Sequence, residues 1–130
     1  MNLLLDTHVV IWFITEDPNL PFPLKRQIVS SSNECFVSIA SFWEMGIKHS
    51  LGKLELKTKL ETVFQVIGMS GLKTLPITPN HILTASNLEF HHRDPFDRLI
   101  IGQALSENLI LVSKDKEFSR YDVPLMWNLT

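Results

Sequence analysis

The stretch "DPFDRLIIGQALSENLILVS", residues 94–113, joins a helix pattern directly to a strand pattern. Its apolar residues at positions 96, 99, 100 and 104 recur at helical spacing and predict a helix over 95–108. The run "LILVS" (109–113) that follows is short, continuous and apolar, as in a strand that is covered on both faces. A helix that leads straight into a buried strand is typical of a parallel α/β sheet.

The same alternation of strands and helices extends over the rest of the chain. The patterns predict strands at 2–5, 34–38, 72–77 and 123–127, helices at 7–15, 24–32, 39–50, 60–71 and 79–90, and a helical turn at 115–118. Pro76 places the third strand at an edge or at a strand end, since proline cannot donate to a strand ladder. The sequence therefore predicts a single α/β domain over residues 1–130, with a mostly parallel central sheet flanked by helices.

Composition and charge exclude several classes of protein. The net charge of −2 gives no basic field over the whole molecule, which argues against a simple electrostatic nucleic-acid binder but not against an enzyme with a local basic rim. The single cysteine, Cys35, excludes an internal disulfide and a cysteine-rich zinc site and fits a cytoplasmic setting. The apolar N-terminus is interrupted at Asp6, and its uninterrupted part, 9–14, is far shorter than the ~20 residues that span a bilayer. We therefore expect no membrane association.

Four acidic residues fall where a parallel sheet places its functional sites. Asp6 directly follows the first predicted strand, and Asp115 comes two residues after the strand at 109–113. Asp97 lies in the first turn of a helix, and Glu44 lies about two turns into the helix after the second strand. Because sites gather at the carboxyl ends of parallel strands, these carboxylates could converge at one edge. Oxygen ligands suit hard cations such as Mg²⁺ or Mn²⁺, which can activate water against a phosphodiester.

Each acid also has a purely structural interpretation. Asp94, followed by proline at the first helical position, is typical of a helix N-cap, and for Asp94 we favour that role. Asp6 and Asp115 each precede a predicted helical segment and could cap it. Glu44 and Lys48 lie four residues apart and could form a solvated ion pair on a helix surface.

Further polar and aromatic residues near the proposed edge leave alternatives open. The hydroxyls of Thr7, Ser38 and Ser113 could orient a carboxylate or a metal-bound water, or could cap helices. The polar loop before the third acidic segment could be a phosphate-facing rim or simply a loop, and its residues are His91, His92 and Arg93. The aromatic residues are interpreted as core or interface rather than as stacking platforms for bases, and they are Trp12, Phe13, Phe42 and Trp43.

The four acidic segments together resemble the motifs of the PIN-domain family, and within it the VapC-type toxins of prokaryotic toxin–antitoxin pairs. "LLLDTHVVIW", "VSIASFWEMGIK", "RDPFDRLIIGQA" and "LILVSKDKEF" are similar to the family's four motifs, in the family's order, from residue 2 to residue 118. Two positions depart from the pattern. Ser113 stands where threonine is frequent, which keeps the hydroxyl, and Gly102 stands where alanine is usual, which predicts a slightly weaker helix.

The resemblance implies a Mg²⁺-dependent endoribonuclease, with Mn²⁺ as a substitute metal. It implies that Asp6 and Asp97 bind the metal directly and that Glu44 and Asp115 complete the acidic pocket, as ligands or by holding waters. A metal-activated water would attack the scissile phosphate of an RNA substrate. The family further implies a cognate antitoxin in a groove near the pocket, and homodimers are common in it.

Two other functions remain open from the sequence. A phosphoacceptor signalling domain is also α/β with an acidic Mg²⁺ pocket, but it requires adjacent acids after the first strand and a phosphorylatable aspartate after a middle strand. Here Asp6 stands alone, and "LKTLPITP" (72–79) contains no acid. The second alternative is a catalytically inactive PIN-like interaction protein, against which the four intact acids argue.

Overall fold

A computed structural model describes residues 1–90 and 94–128, so the predicted rim at 91–93 lies outside the described residues. The strands are β1 (Asn2–Leu5), β2 (Glu34–Ser38), β3 (Lys73–Leu75), β4 (Ile110–Val112) and β5 (Leu125–Met126). The helices are α1 (Thr7–Thr15), α2 (Phe22–Val29), α3 (Ile39–Ser50), α4 (Leu60–Met69), α5 (Pro79–Ser86) and α6 (Pro95–Glu107), and a 3₁₀ helix spans Lys116–Arg120. In the described ranges, no helix combines the length and apolarity that a bilayer crossing requires.

The strands form one sheet in the order β3-β2-β1-β4-β5, and each neighbouring pair is parallel. The predicted parallel α/β domain is therefore confirmed. The central strand β1 pairs with both β2 and β4, so that Leu5 lies beside Val37 and Val112. This register brings the ends of three strands to one edge, where they are followed by Asp6, by α3 and by Ser113.

Apolar clusters cover both faces of the sheet. Leu3 and Leu5 of β1 belong to one cluster and Leu4 to the other, because side chains alternate across a strand. The first cluster takes residues from α1, α2 and α4, and the second takes its helical residues largely from α6. Burial on both faces explains why β1 is a continuous apolar run.

Two helices, α2 and α5, end three or more residues earlier than the periodicity predicts. Helix α2 ends at Val29 rather than at 32, because the Ser30 hydroxyl bonds the Ser32 hydroxyl (2.8 Å) and accepts from the Ser32 amide (3.3 Å), a local alternative to helix. Helix α5 ends at Ser86 rather than at 90. There the Arg98 guanidinium donates to the carbonyls of Ala85 (3.0 Å) and Leu88 (3.1 Å). Arg98 thus fastens the end of α5 to α6.

Gly102 lies at the closest approach of α5 and α6. A Cβ atom at this position would be 2.9 Å from both the Ala85 nitrogen and the His81 carbonyl oxygen. Our expectation that this glycine merely weakens the helix was incomplete. Its missing side chain lets the two helix backbones come together.

Candidate active site

Asp6 is held rigidly at the carboxyl end of β1. Its amide donates to the Val112 carbonyl at 3.1 Å, which extends the β1–β4 ladder by one residue. One carboxylate oxygen accepts from the Val9 amide at 2.9 Å and caps α1, and the other accepts from the Ser113 hydroxyl. Asp6 is 6% exposed, and burial raises its pKa, although the bonds from Ser113 and Val9 act in the opposite direction. The capping interpretation is confirmed, and the cap fixes where this carboxylate points.

Glu44 is buried within reach of α1. Its Oε1 accepts from the Thr7 hydroxyl at 2.6 Å, and that hydroxyl is also hydrogen-bonded to Ser41 at 2.9 Å. Its Oε2 accepts from Lys48 Nζ at 2.6 Å. The predicted ion pair therefore exists, but its interpretation as a solvated surface contact is wrong, because Glu44 is only 3% exposed. A buried carboxylate requires such partners to offset its lost hydration.

Asp94 and Asp97 have different surroundings although they are three residues apart. Asp94 Oδ1 accepts from the amides of Phe96 (2.9 Å) and Asp97 (3.2 Å), which confirms the predicted N-cap of α6. Asp97 lies in the first turn of the helix that this cap begins. The cap therefore fixes the backbone from which the Asp97 side chain projects.

Burial and the other acids of the site change the pKa of Asp97. Burial is the main cause that raises its pKa to about 8, followed by the charges of the surrounding carboxylates, which are, in decreasing order, Asp94, Glu44, Asp6 and Asp115. A carboxyl group responds in this way when like charges lie nearby with little water between them. Asp97 therefore lies within electrostatic range of the other three acids that the sequence predicts at this edge, Asp6, Glu44 and Asp115.

Asp115 lies on the exposed side of the site. It caps the 3₁₀ helix by accepting from the Glu117 amide at 2.9 Å, so its capping interpretation is also confirmed. Its own amide donates to Ser113 Oγ at 3.0 Å. Ser113 therefore contacts both Asp6 and Asp115. The predicted roles of Thr7 and Ser113 in orienting carboxylates are confirmed, whereas Ser38 caps α3.

Lys48 places a positive charge beside these carboxylates. Burial alone would lower the pKa of Lys48, but the hydrogen bond to Glu44 and the charges of Glu44, Asp94 and Asp97 raise it overall. Its side chain is 38% exposed, so the ammonium group lies between the buried Glu44 and solvent. Lys48 thus offsets part of the negative charge of the site.

The donor set fits a hydrated hard cation better than a fully caged one. Within residues 1–90 and 94–128, no three histidine, cysteine, aspartate or glutamate side chains are grouped so as to hold a metal ion by themselves. Mg²⁺ keeps several of its waters and commonly takes only one or two carboxylates. Asp6 and Asp97 could supply those two, and the repulsion that raises the pKa of Asp97 is what a bound cation would relieve.

Sequence reasoning missed two buried polar residues, Ser41 and Gln103. Gln103 accepts from the Ser38 hydroxyl at 2.5 Å and donates to the Pro76 carbonyl at 3.2 Å, so it ties α6 to the ends of β2 and β3. Gln103 lies three residues after Ile100, on the apolar face of the helix. A polar amide on that face was the signal in the sequence that could have identified Gln103 as a buried, hydrogen-bonded residue. Ser41 lies one turn before Glu44 on the same face of α3, where it bonds Thr7.

The raised pKa of Asp97 predicts how the stability of the metal-free protein depends on pH. Its folded pKa of about 8 exceeds the ordinary value of 3.8, so its contribution to stability is complete below about pH 4 and is lost as the pH rises through 8. We expect the melting temperature to fall between about pH 5.5 and 8.5 more steeply in the wild type than in Asp97→Asn. Calorimetry measures the melting temperatures of both proteins and of a control, Asp122→Asn, which changes an exposed aspartate. Parallel curves for wild type and Asp97→Asn would contradict it.

Both the sequence and the fold of this chain are similar to those of known proteins. The PIN domain family model matches residues 3–124. Ribonuclease VapC22 of Mycobacterium tuberculosis (strain ATCC 25618 / H37Rv) is 28% identical over 124 residues, which cover 95% of this chain and 94% of that protein.

Two solved structures have a similar fold at low sequence identity. VapBC2 from Rickettsia felis, bound to a DNA fragment from its promoter, has a TM-score of 0.75 and 19% identity, over 98% of this chain and 100% of that chain. VapBC-1 from nontypeable Haemophilus influenzae has a TM-score of 0.71 and 20% identity, over 97% of each chain. At these identities the likeness establishes the fold alone.

Proposed function

Because this chain belongs to the PIN domain family, whose model matches residues 3–124, we propose that it is a Mg²⁺-dependent endoribonuclease in which Mn²⁺ can substitute. The observation that carries the proposal is the buried carboxylates at one edge of the sheet. Asp6 is 6% and Glu44 3% exposed, and burial together with the charges of nearby carboxylates raises the pKa of Asp97 to about 8. Such a concentration of negative charge is costly in a protein unless it binds a cation. The similarity to a ribonuclease supports RNA as the substrate.

The metal would be held by Asp6 and Asp97, with Glu44 and Asp115 binding its waters. A Mg²⁺ ion at that position would supply an activated water and would stabilise the charge that develops on the phosphate. Asp97 would be deprotonated when the cation binds, since the positive charge would offset the burial and the neighbouring negative charges that raise its pKa to about 8.

The remaining residues hold these acids in place. Val9 and Ser113 each bond one oxygen of Asp6, so this carboxylate is oriented before any ligand arrives. Thr7 and Lys48 do the same for Glu44. Outer groups of this kind matter because the geometry of a metal site depends on their hydrogen bonds.

Dependence on metal is the direct test of the proposal. The purified chain is expected to cleave single-stranded RNA when Mg²⁺ is present, to lose cleavage in excess EDTA, and to regain it when excess Mg²⁺ or Mn²⁺ is added back. Gel analysis of end-labelled RNA measures this, with Asp6→Asn prepared in parallel to exclude a contaminating nuclease. Cleavage that persists in EDTA contradicts the metal mechanism. No cleavage with either metal would favour the inactive PIN-like alternative.

The phosphoacceptor alternative makes a different prediction. A signalling domain would form a covalent aspartyl phosphate when it is incubated with an acyl-phosphate donor, and a nuclease would not. The family match and the absence of acids from β3, whose residues are Lys73–Leu75, favour the nuclease.

We further propose a cognate antitoxin and a second copy of the chain as partners. A groove of 440 Å³ lies among α1, α2 and α4, and exposed apolar side chains line it, among them Val29, Val66 and Met69. Exposed apolar patches of this kind mark protein interaction sites. The similar structures VapBC2 and VapBC-1 support an antitoxin as a partner, and this groove is a candidate surface for one of the two partners. Light scattering on the chain alone and after co-purification with a candidate antitoxin tests both partners.

A further inference from the structure

A pocket of 290 Å³ opens beside the acidic site, between the start of α1 and the loop after β4. It is lined by Asp6, His8, Trp12, Lys114 and Asp115. Two of these residues, Asp6 and Asp115, belong to the acidic site described above. A group bound in this pocket would therefore lie directly against the reacting centre.

One side of the pocket is aromatic and rigid. His8 and Trp12 lie one helical turn apart on α1, and their ring centroids are 5.8 Å apart with the planes tilted by 38°. Trp12 also contacts Trp127, with a centroid distance of 6.0 Å, and packs against the apolar core. Its indole is only partly buried. Our interpretation of Trp12 as core or interface, rather than as a stacking platform for bases, therefore describes only one part of the side chain, while another part lines the pocket.

The other side of the pocket is charged. Lys114 is exposed and lies in sequence between Ser113 and Asp115, which both belong to the site. Within the described residues, Lys114 forms no ion pair, unlike Lys48, which is bound to Glu44. An ammonium group in this position suits a phosphate of a bound strand.

An aromatic wall next to a cation and an acidic metal site matches the chemistry of one unpaired nucleotide. Proteins that bind single-stranded RNA stack unpaired bases on tryptophan or histidine and place cations at the backbone. A base within a duplex is already stacked and cannot enter such a pocket. The volume of 290 Å³ lies just below the usual range for small-ligand pockets, about 300–1,000 Å³, which suits one base rather than several.

We propose that this pocket is a nucleotide subsite, in which Trp12 and His8 stack against one unpaired base of single-stranded RNA and Lys114 binds a neighbouring phosphate. The subsite rests on the proposed ribonuclease function and adds to it the side chains that would hold one nucleotide of the substrate. It places that base immediately beside the phosphate that is cleaved.

Binding to RNA without cleavage tests the subsite. In the Asp97→Asn protein, Trp12→Leu is expected to weaken binding of a short single-stranded RNA by roughly 5- to 150-fold, the size of one base–aromatic stack. Trp12→Phe is expected to restore most of that binding, because phenylalanine keeps a stacking face. Phe22→Leu, which removes an exposed ring on α2, is the matched control and is expected to bind as before. Fluorescence anisotropy of labelled RNA measures all four proteins.

Three further readouts separate stacking from a loss of structure. With the acids intact, Trp12→Leu is expected to raise KM with little change in kcat. His8→Ala and Lys114→Gln alter exposed side chains, so they test the pocket even if Trp12→Leu fails to fold. Lys114→Gln is expected to reduce the slope of binding against salt by about one counterion.

The possible results are distinguishable. Weakened binding that Trp12→Phe restores supports the subsite. If Trp12→Leu binds RNA as tightly as Phe22→Leu, the subsite is overturned while the ribonuclease proposal stands. If Trp12→Leu does not fold, the same conclusion follows when His8→Ala and Lys114→Gln both bind RNA as tightly as Phe22→Leu. If the Asp97→Asn protein binds no RNA and the wild type cleaves none, both proposals are overturned together.

Discussion

Asp97→Asn is expected to reduce RNA cleavage by more than about 100-fold, beyond the loss that changes in outer-shell residues produce at metal sites. Asparagine has nearly the same shape but carries no charge, so it cannot replace the carboxylate as a ligand. The loss cannot be attributed to unfolding, because the substitution removes a carboxyl group whose pKa is raised by burial and by four neighbouring carboxylates. The variant is therefore expected to be at least as stable as the wild type at pH 8.

Asp94→Asn is the matched control and is expected to retain cleavage within about tenfold. Asp94 acts through Oδ1, which accepts from the amides of Phe96 and Asp97, and asparagine offers the same acceptor. Initial cleavage rates at one Mg²⁺ concentration, with circular dichroism for folding, compare the two variants. Equal losses would mean that Asp94 takes part in the chemistry. Undiminished cleavage by Asp97→Asn would overturn the assignment of Asp97 as a ligand.

Gly102→Ala is expected to lower the free energy of unfolding by about 1–3 kcal/mol, the usual cost of overpacking. The new Cβ would lie 2.9 Å from the backbone nitrogen of Ala85 and the carbonyl oxygen of His81. Backbone atoms of a packed helix cannot rotate away as a flexible side chain can, so α5 must shift as a whole. This cost outweighs the gain of up to about 1 kcal/mol that alanine brings inside a helix.

Gly68→Ala in α4 isolates the helix-propensity effect. Apart from the adjacent residues and the local helix backbone, no atom lies within 4 Å of a Cβ at that position, so the substitution is expected to stabilise the protein by up to about 1 kcal/mol. Urea unfolding of both variants measures the two free energies, and opposite signs are expected. A stabilised Gly102→Ala protein would show that α5 can move away from α6 at little cost.

The sequence was most informative where a pattern repeats locally. The helical spacing around Asp97 and the apolar run at 109–113 predicted α6 and β4, and the proline after Asp94 predicted the cap that separates the two aspartates. The carboxyl ends of parallel strands meet at one edge, which explains why the sequence alone predicts the four acids there.

Features that depend on distant segments were not predictable in this way. A solvated pair of Glu44 with Lys48 stayed open beside the site role because periodicity within α3 contains no information about Thr7, which lies 37 residues earlier and donates to Glu44 in the buried interior. For Gly102 the sequence predicted only a weaker helix, since the close approach of α5 cannot be inferred from the sequence of α6 alone. Trp12 both packs in the core and lines a pocket, and an apolar pattern does not distinguish the two.

The hydrogen bond from Ser113 to Asp6 joins residues 107 positions apart, so it connects almost the whole length of the chain. During synthesis, β1 and β2 leave the ribosome long before β4, and domains fold as units once their strands are available. The central strand β1 can therefore pair with β4 only near the end of translation, and Asp97 and Asp115 are also synthesised late. The parts of the acidic site can therefore come together only in one late step, when β4 inserts beside β1.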